Sequence, residues 1–123
     1  HTLRGAMARV EALREEGVVA AYFPQGRIFP STRRPLGFAP GVSLLLRRLA
    51  PLAVVPVGLH LEMGNRVRPS AWVLSGAPIR IETPEDAPAP DLLEGRVEGL
   101  LARVQAHLHA HGEAAAEHWP PAP

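Results

Sequence analysis

Thirteen arginines supply every fixed positive charge of this 123-residue chain, and lysine is absent. Their placement is uneven. Residues 17–80 carry eight of them against the single acid Glu62, a balance of +7. Residues 81–123 carry eight acids against Arg96 and Arg103, a balance of −6, and residues 1–16 sum to zero. A guanidinium grips phosphate or carboxylate with two parallel hydrogen bonds where an ammonium offers a point charge. Arg27, Arg33, Arg34, Arg47 and Arg48, with no acid between Gly17 and Leu61, therefore suit a phosphate, a phosphorylated cofactor or an anionic membrane surface. A solvated basic surface fits the charge alone equally well, and a gene rich in G and C would also favour Arg over Lys. The sharpest local feature is Phe23-Pro24-Gln25-Gly26-Arg27. Gly26 lets backbone approach a ligand, and Arg27 is the first cation after it.

Other chemistry is thinner. Cysteine is absent, which removes disulfides, thiolate metal sites and a cysteine nucleophile. His107 and His111 would share one face of a helix, a spacing zinc can use. No Cys and no acid before Glu113 completes such a site, so solvated histidines near a helix end, favourable to its dipole, are the better reading, and no metal is expected. His60 follows an apolar run and reads either as a hydrogen-bonded pocket residue or as a core residue. Leu44, Leu45 and Leu46 ahead of Arg47 and Arg48 could dock an acyl chain or a membrane, although a core helix is the simpler account. The chain has no phosphate-loop glycine pattern, and its aromatic content of 5% is too low for base-stacking platforms, so no nucleic-acid partner is expected.

The elements that would position these residues follow from periodicity. Leu3, Met7, Val10 and Leu13 with Gly17 behind them predict an amphipathic helix over 3–16. Val18 to Phe23 reads as a short buried strand stopped by Pro24, and a Pro- and Arg-rich loop occupies 24–40, a length that is usually functional or disordered. A helix is predicted over 42–49, and a strand over 52–59 that is apolar on both faces, as in a parallel sheet. Pro56 in that strand implies an edge position or a bulge. A third strand spans 71–75. Asp91 and Glu94 resemble a capping box opening a long helix that ends near Gly112. Residues 113–123 are expected to fray. The order α-β-α-β-β-α predicts an α/β fold, a layered and partly parallel sheet flanked by helices, with a right-handed crossover across 18–59. Two or three strands make a thin sheet, so the domain looks incomplete. No run of about 18 uncharged apolar residues is present, so this chain is not expected to span a bilayer by itself.

Four landmarks give this pattern a resemblance. Phe23-Pro24-Gln25-Gly26, Phe38-Ala39-Pro40-Gly41, Val55-Pro56-Val57 and Ser75-Gly76-Ala77-Pro78-Ile79 follow one another in the order and spacing found in glycerolipid acyltransferases. The chain resembles the C-terminal half of such a domain, of the lysophosphatidic-acid or glycerol-phosphate acyltransferase type, over roughly residues 3–105, and residues 1–112 are expected to be that part. The resemblance implies a substrate-binding role for Gln25, Gly26 and Arg27 toward a phosphate-bearing lipid acceptor, with Arg33 and Arg34 in the same loop, and a pocket-shaping role for Pro56. It implies acyl-coenzyme A or acyl-carrier protein as co-substrate with no bound cofactor, and peripheral attachment at the cytoplasmic face of a membrane. Gln25 stands where the family usually has Glu, and Ile28 where it has Arg, so Arg27 is offset by one position.

The family's general base is a histidine followed five residues later by an aspartate that orients it. No histidine here has that spacing: residue 6 after His1 is Ala and residue 65 after His60 is Asn. The resemblance thus implies a phospholipid-biosynthetic 1-acylglycerol-3-phosphate-type O-acyltransferase as the parent enzyme, with no catalytic residue in this chain and no acyl transfer by it alone. The rival reading is an acyltransferase-like module that binds anionic lipid without chemistry. In either case apolar surface should remain for a missing N-terminal half or for self-association.

Overall fold

The computed structural model describes residues 3–64 and 67–123. Helix α1 (Leu3–Leu13) tightens into a 3-10 turn over Arg14–Glu16, and Gly17 at φ +78° ends it with its N–H on the Arg14 carbonyl at 3.1 Å. The expected helix over 3–16 is therefore present. Helix α2 (Gly41–Leu49) buries Val42, Leu45, Leu46 and Leu49 along one stripe and stops before Pro51. Glu11 of α1 meets Arg48 of α2 at 3.4 Å, and Arg14 Nη2 donates to the Pro51 carbonyl at 3.0 Å.

Four short strands follow: β1 (Leu52–Val54), β2 (Val57–Glu62), β3 (Ser70–Ser75) and β4 (Ile79–Ile81). They form two antiparallel two-stranded sheets, β1 with β4 and β2 with β3. Leu52 lies opposite Ile81 and Val54 opposite Ile79; Val57 lies opposite Ser75 and His60 opposite Trp72. Pro56 sits in the break between β1 and β2, buried, with its carbonyl accepting the Gly76 N–H at 2.9 Å. A proline cannot donate to a ladder, and an interruption of this kind is where a strand tolerates one.

Helix α3 (Pro90–His111) is the spine. Leu93 near its start joins Val42, Leu46 and Ile81 in one core, and Leu100 and Val104 further along join Leu74 in a second. The fold is mixed α/β, with three α-helices and two small antiparallel sheets among the described residues.

Three expectations are corrected. The partly parallel layered sheet is not formed among the described residues, because β1 pairs only with β4 and β2 only with β3. Residues 18–23, read as a strand, carry no strand pairing; Val19 is 99% and Phe23 75% exposed. The continuous apolar run had suggested a buried strand, and nothing among the described residues covers it. The order is thus α-α-β-β-β-β-α, with the three-residue β4 unforeseen. The start of α3 is also different. Ala89 is its N-cap without a side-chain cap, while Asp86 Oδ2 accepts the N–H groups of Glu82 and Thr83 at 3.2 and 3.0 Å, just ahead.

The tail expected to fray forms a 3-10 helix over Gly112–His118. Ala115 is buried, the Trp119 ring meets the Trp72 ring edge-on at 5.1 Å, and Arg103 Nη2 donates to the carbonyl of Ala122 at 3.2 Å. A large aromatic at residue 119 anchors a segment whose remaining residues gave no apolar period.

Candidate functional site

The loop over 24–40 is built as a closed brace. The Ala39 N–H donates to the Pro24 carbonyl at 2.8 Å, and Gln25 Nε2 donates to the Leu36 carbonyl at 2.7 Å. The first two landmarks, residues 23–26 and 38–41, are therefore bonded to each other. Gly26 has φ +68°, a left-handed conformation that favours glycine. Two carboxylates one helical turn apart on α3 hold the loop's foot. The Phe38 N–H donates to Glu94 Oε1 at 2.6 Å, and the Leu36 N–H donates to Glu98 Oε1 at 3.0 Å. The two amides flank Gly37, whose φ of +76° turns the chain between them, and their two acceptors stand one turn of helix apart. Two of the acids behind the −6 balance of the C-terminal third thus support the basic loop itself.

The predicted site residues fall into two places. Gln25 is half-buried and spends its amide N–H inside the brace. Arg27 is exposed and has no ion pair or hydrogen bond among the described residues. The Arg33 guanidinium lies 3.7 Å over the Phe29 ring, and Arg34 Nη1 folds back onto the carbonyls of Ser31 and Arg33 at 2.7 Å each. Gly26, Arg27, Arg33 and Arg34 therefore all belong to the one loop, and all are exposed. Pro56 is elsewhere: it lines a groove with Gly76, Ala77, Leu100, Arg96 and Arg103, which includes none of the loop arginines. The third and fourth landmarks meet there, through the bond from Gly76 to the Pro56 carbonyl.

The structure also joins three residues that no sequence motif had grouped. His60 on β2 is 7% exposed, and both of its ring nitrogens are engaged. Nδ1 is 2.6 Å from Ser31 Oγ in the basic loop, and Nε2 is 2.7 Å from Glu62 Oε2. An ionised carboxylate can only accept, so Nε2 carries a hydrogen, and the singly protonated tautomer that this bond selects leaves the Nδ1 lone pair to accept the Ser31 O–H. A hydroxyl, an imidazole and a carboxylate stand in series, with the imidazole held in the tautomer of a base. The signal was present in part: His60 and Glu62 are two apart on a strand, which places both on one face. The partner Ser31 is 29 residues away and has no local signature.

The histidines of α3 are not uniformly solvated as expected. His107 is buried and its Nε2–H donates to the Ala115 carbonyl at 2.8 Å. Its ring lies 4.5 Å from that of His111, which stacks on His118 at 4.6 Å. His111 is held below the ordinary imidazole value, first by loss of solvation between its neighbours and then by the charges of His107 and His118. Among the described residues no three His, Cys, Asp or Glu side chains converge as metal ligands, and no helix is long and apolar enough to cross a membrane.

No family model, no curated protein and no solved structure matches this chain.

Proposed function

We propose that this chain is the acceptor-binding part of an acyltransferase of the glycerolipid type, in which the loop over 24–40 holds the phosphate of a lysophospholipid or glycerol phosphate acceptor while a fatty acyl group arrives as a thioester of coenzyme A or of acyl-carrier protein. One observation carries this reading. The four landmarks of the resemblance are bonded in space as two pairs, the first with the second at Pro24 and Ala39, the third with the fourth at Pro56 and Gly76. Motifs that share a structural reason for their spacing argue against a chance match of short words. Arg27, exposed beside Gly26 and without an ion pair among the described residues, would take the phosphate. The uncovered apolar residues 18–23 and the outer face of β2 and β3 would meet the remaining half of such a domain or a second copy.

Titration with lysophosphatidic acid against the matching uncharged monoacylglycerol tests the assignment. Arg27→Ala should weaken the phosphate-bearing lipid by about tenfold or more, from the ~1.5 kcal/mol or above of a charge-assisted hydrogen bond. The uncharged lipid should be unaffected. Arg47→Ala at the end of α2 controls for general loss of charge. Equal effects of the two substitutions would refute the phosphate assignment.

A second reading is favoured by a separate observation: Phe23 and Ile28, 75% and 102% exposed, flank Arg27. Apolar side chains among arginines suit peripheral attachment to an anionic membrane, in a lipid-binding module without acyl transfer. Co-sedimentation with phosphatidylserine vesicles, lost in Ile28→Ser but indifferent to added lysophosphatidic acid, would favour it.

A further inference from the structure

We propose that Ser31, His60 and Glu62 form an acyl-capturing site, in which the Ser31 hydroxyl takes an acyl group from a thioester or another activated ester. Three observations combine. The hydroxyl, ring and carboxylate are in series at 2.6 and 2.7 Å. The carboxylate fixes the ring as a base toward Ser31, for the reason given above. The ring is buried while Ser31 is half-buried and Glu62 has a half-exposed side chain, so the base is shielded and its nucleophile is reachable. This is the nucleophile–base–orienting-acid arrangement that activates a serine, here with the two ring nitrogens exchanged relative to the usual serine triad. It supplies the base with an orienting acid that the five-residue spacing failed to find.

Ser31 Oγ attacks the acyl carbonyl carbon and forms the C–O bond, and its proton passes to His60 Nδ1. Glu62 stabilises the resulting imidazolium through Nε2–H. The C–S bond breaks, the thiolate leaves, and His60 returns the proton to it, giving O-acyl-Ser31 and free thiol. Arg34, whose Nη1 donates to the Ser31 carbonyl at 2.7 Å, brings a fixed positive charge close to the residue on which the oxyanion would develop. Exposed Ile28, three residues before Ser31, offers an apolar contact to an alkyl chain. The inference is independent of phosphate binding, because the acyl donor alone is its substrate.

The test uses the intact 123-residue chain with p-nitrophenyl butyrate, which carries no phosphate. The chain has neither lysine nor cysteine, so few side chains compete for a covalent acyl group. Expected is a burst of p-nitrophenolate near one equivalent per chain, with a butyryl group mapped by mass spectrometry to Ser31. Ser31→Ala should abolish the adduct. His60→Gln, which can still hydrogen-bond, should slow the burst by about a hundredfold or more, the usual contribution of a positioned base. A role limited to tying the loop to β2 would leave no adduct in the unaltered chain. Turnover without an adduct, by exposed rings such as His109, or a butyryl group at another residue overturns the proposal. Should Ser31→Ala unfold by circular dichroism, the adduct map of the unaltered chain and that of Ser31→Cys decide, the latter expected to carry the acyl group at residue 31.

Discussion

Substitution of Gly58 by alanine should destabilise the chain although alanine is ordinarily the better residue. Gly58 is on the inner face of β2, where a methyl carbon would sit 3.0 Å from Leu100 Cβ and 3.2 Å from the Leu101 backbone nitrogen of α3. A side chain could rotate away; helix backbone cannot. The strand must therefore move off the helix by a few tenths of an ångström, loosening the second core around Leu100 and Val104. Overpacking of this kind costs about 1–3 kcal/mol, offset by the ~0.5 kcal/mol that alanine recovers in unfolded-chain entropy. With an unfolding entropy near 2.1 cal/mol/K per residue, a net ~0.5–2.5 kcal/mol lowers the Tm of 123 residues by roughly 2–10 °C. Gly99, on α3, has open space where its methyl would go. Gly99→Ala should raise Tm by roughly 2–4 °C, from the ~0.5–1 kcal/mol difference in helix propensity. Thermal unfolding followed by far-ultraviolet circular dichroism measures both. A neutral or stabilising Gly58→Ala would mean that β2 does not approach α3 as closely as 3.0 Å implies. Both substitutions shifting Tm in the same direction would refute the reasoning about space.

Two further outcomes are expected. Glu94→Gln and Glu98→Gln each replace a charge-assisted acceptor of the loop by a neutral one, so amide hydrogen exchange at Phe38 and Leu36 respectively should quicken by about threefold to tenfold, a loss of about 0.7–1.4 kcal/mol; unchanged exchange would show that the loop is held by something else. For His111 the sign follows from its lowered value: the folded chain binds fewer protons there than the unfolded one, so the contribution is fully present above about pH 6.5 and is lost as pH falls through the folded value. Acidification should release the tail over 112–118 and change the emission of Trp119 and Trp72, less so in His111→Gln; identical pH profiles would count against the ring stack.

The helices were legible because each needs only its own spacing. Leu3, Met7, Val10 and Leu13 declare α1, and Leu93, Leu100, Leu101 and Val104 declare α3, with ends set by Gly17 and Gly112. Strand positions were legible in the same way, but their partners were not. The apolar run Leu52–Leu59 suggested a parallel strand covered on both faces, whereas β2 is antiparallel to β3 and leaves Val57, Leu59 and Leu61 exposed. Pairing is a non-local choice that alternation does not encode. Strand β4 is three residues between Pro78 and Thr83, too short to announce itself. Of the candidate site, the loop, Gly26 and Arg27 could be read from composition and motif. Ser31 could not, because its meaning depends on a residue brought to it by folding.

That meeting depends on the interruption at Pro56. Along 52–62 the inward positions stay in one phase: Leu52, Val54, Pro56, Gly58 and His60 all turn toward the helices, with Ala53 and Leu59 outward. On the returning strand the phase changes. Trp72 and Leu74 face inward in β3, but Ile79 and Ile81 do so in β4. The registers account for this, since residues 55 and 56 on one strand stand against 76, 77 and 78 on the other. One extra residue inverts the faces of everything beyond it. Without it, exposed Arg80 would point into the first core and Ile81, now 1% exposed, would point to solvent. Gly76 makes the inserted stretch fit, because a methyl there would stand 3.1 Å from Pro56 Cγ. The proline supplies a carbonyl and no N–H at the point where the ladder has no partner to offer. The extra residue thus lies on the strand that carries no proposed chemistry. The strand that carries His60 keeps an unbroken alternation from the first core to the basic loop, and this is what delivers the ring to Ser31 with Glu62 behind it.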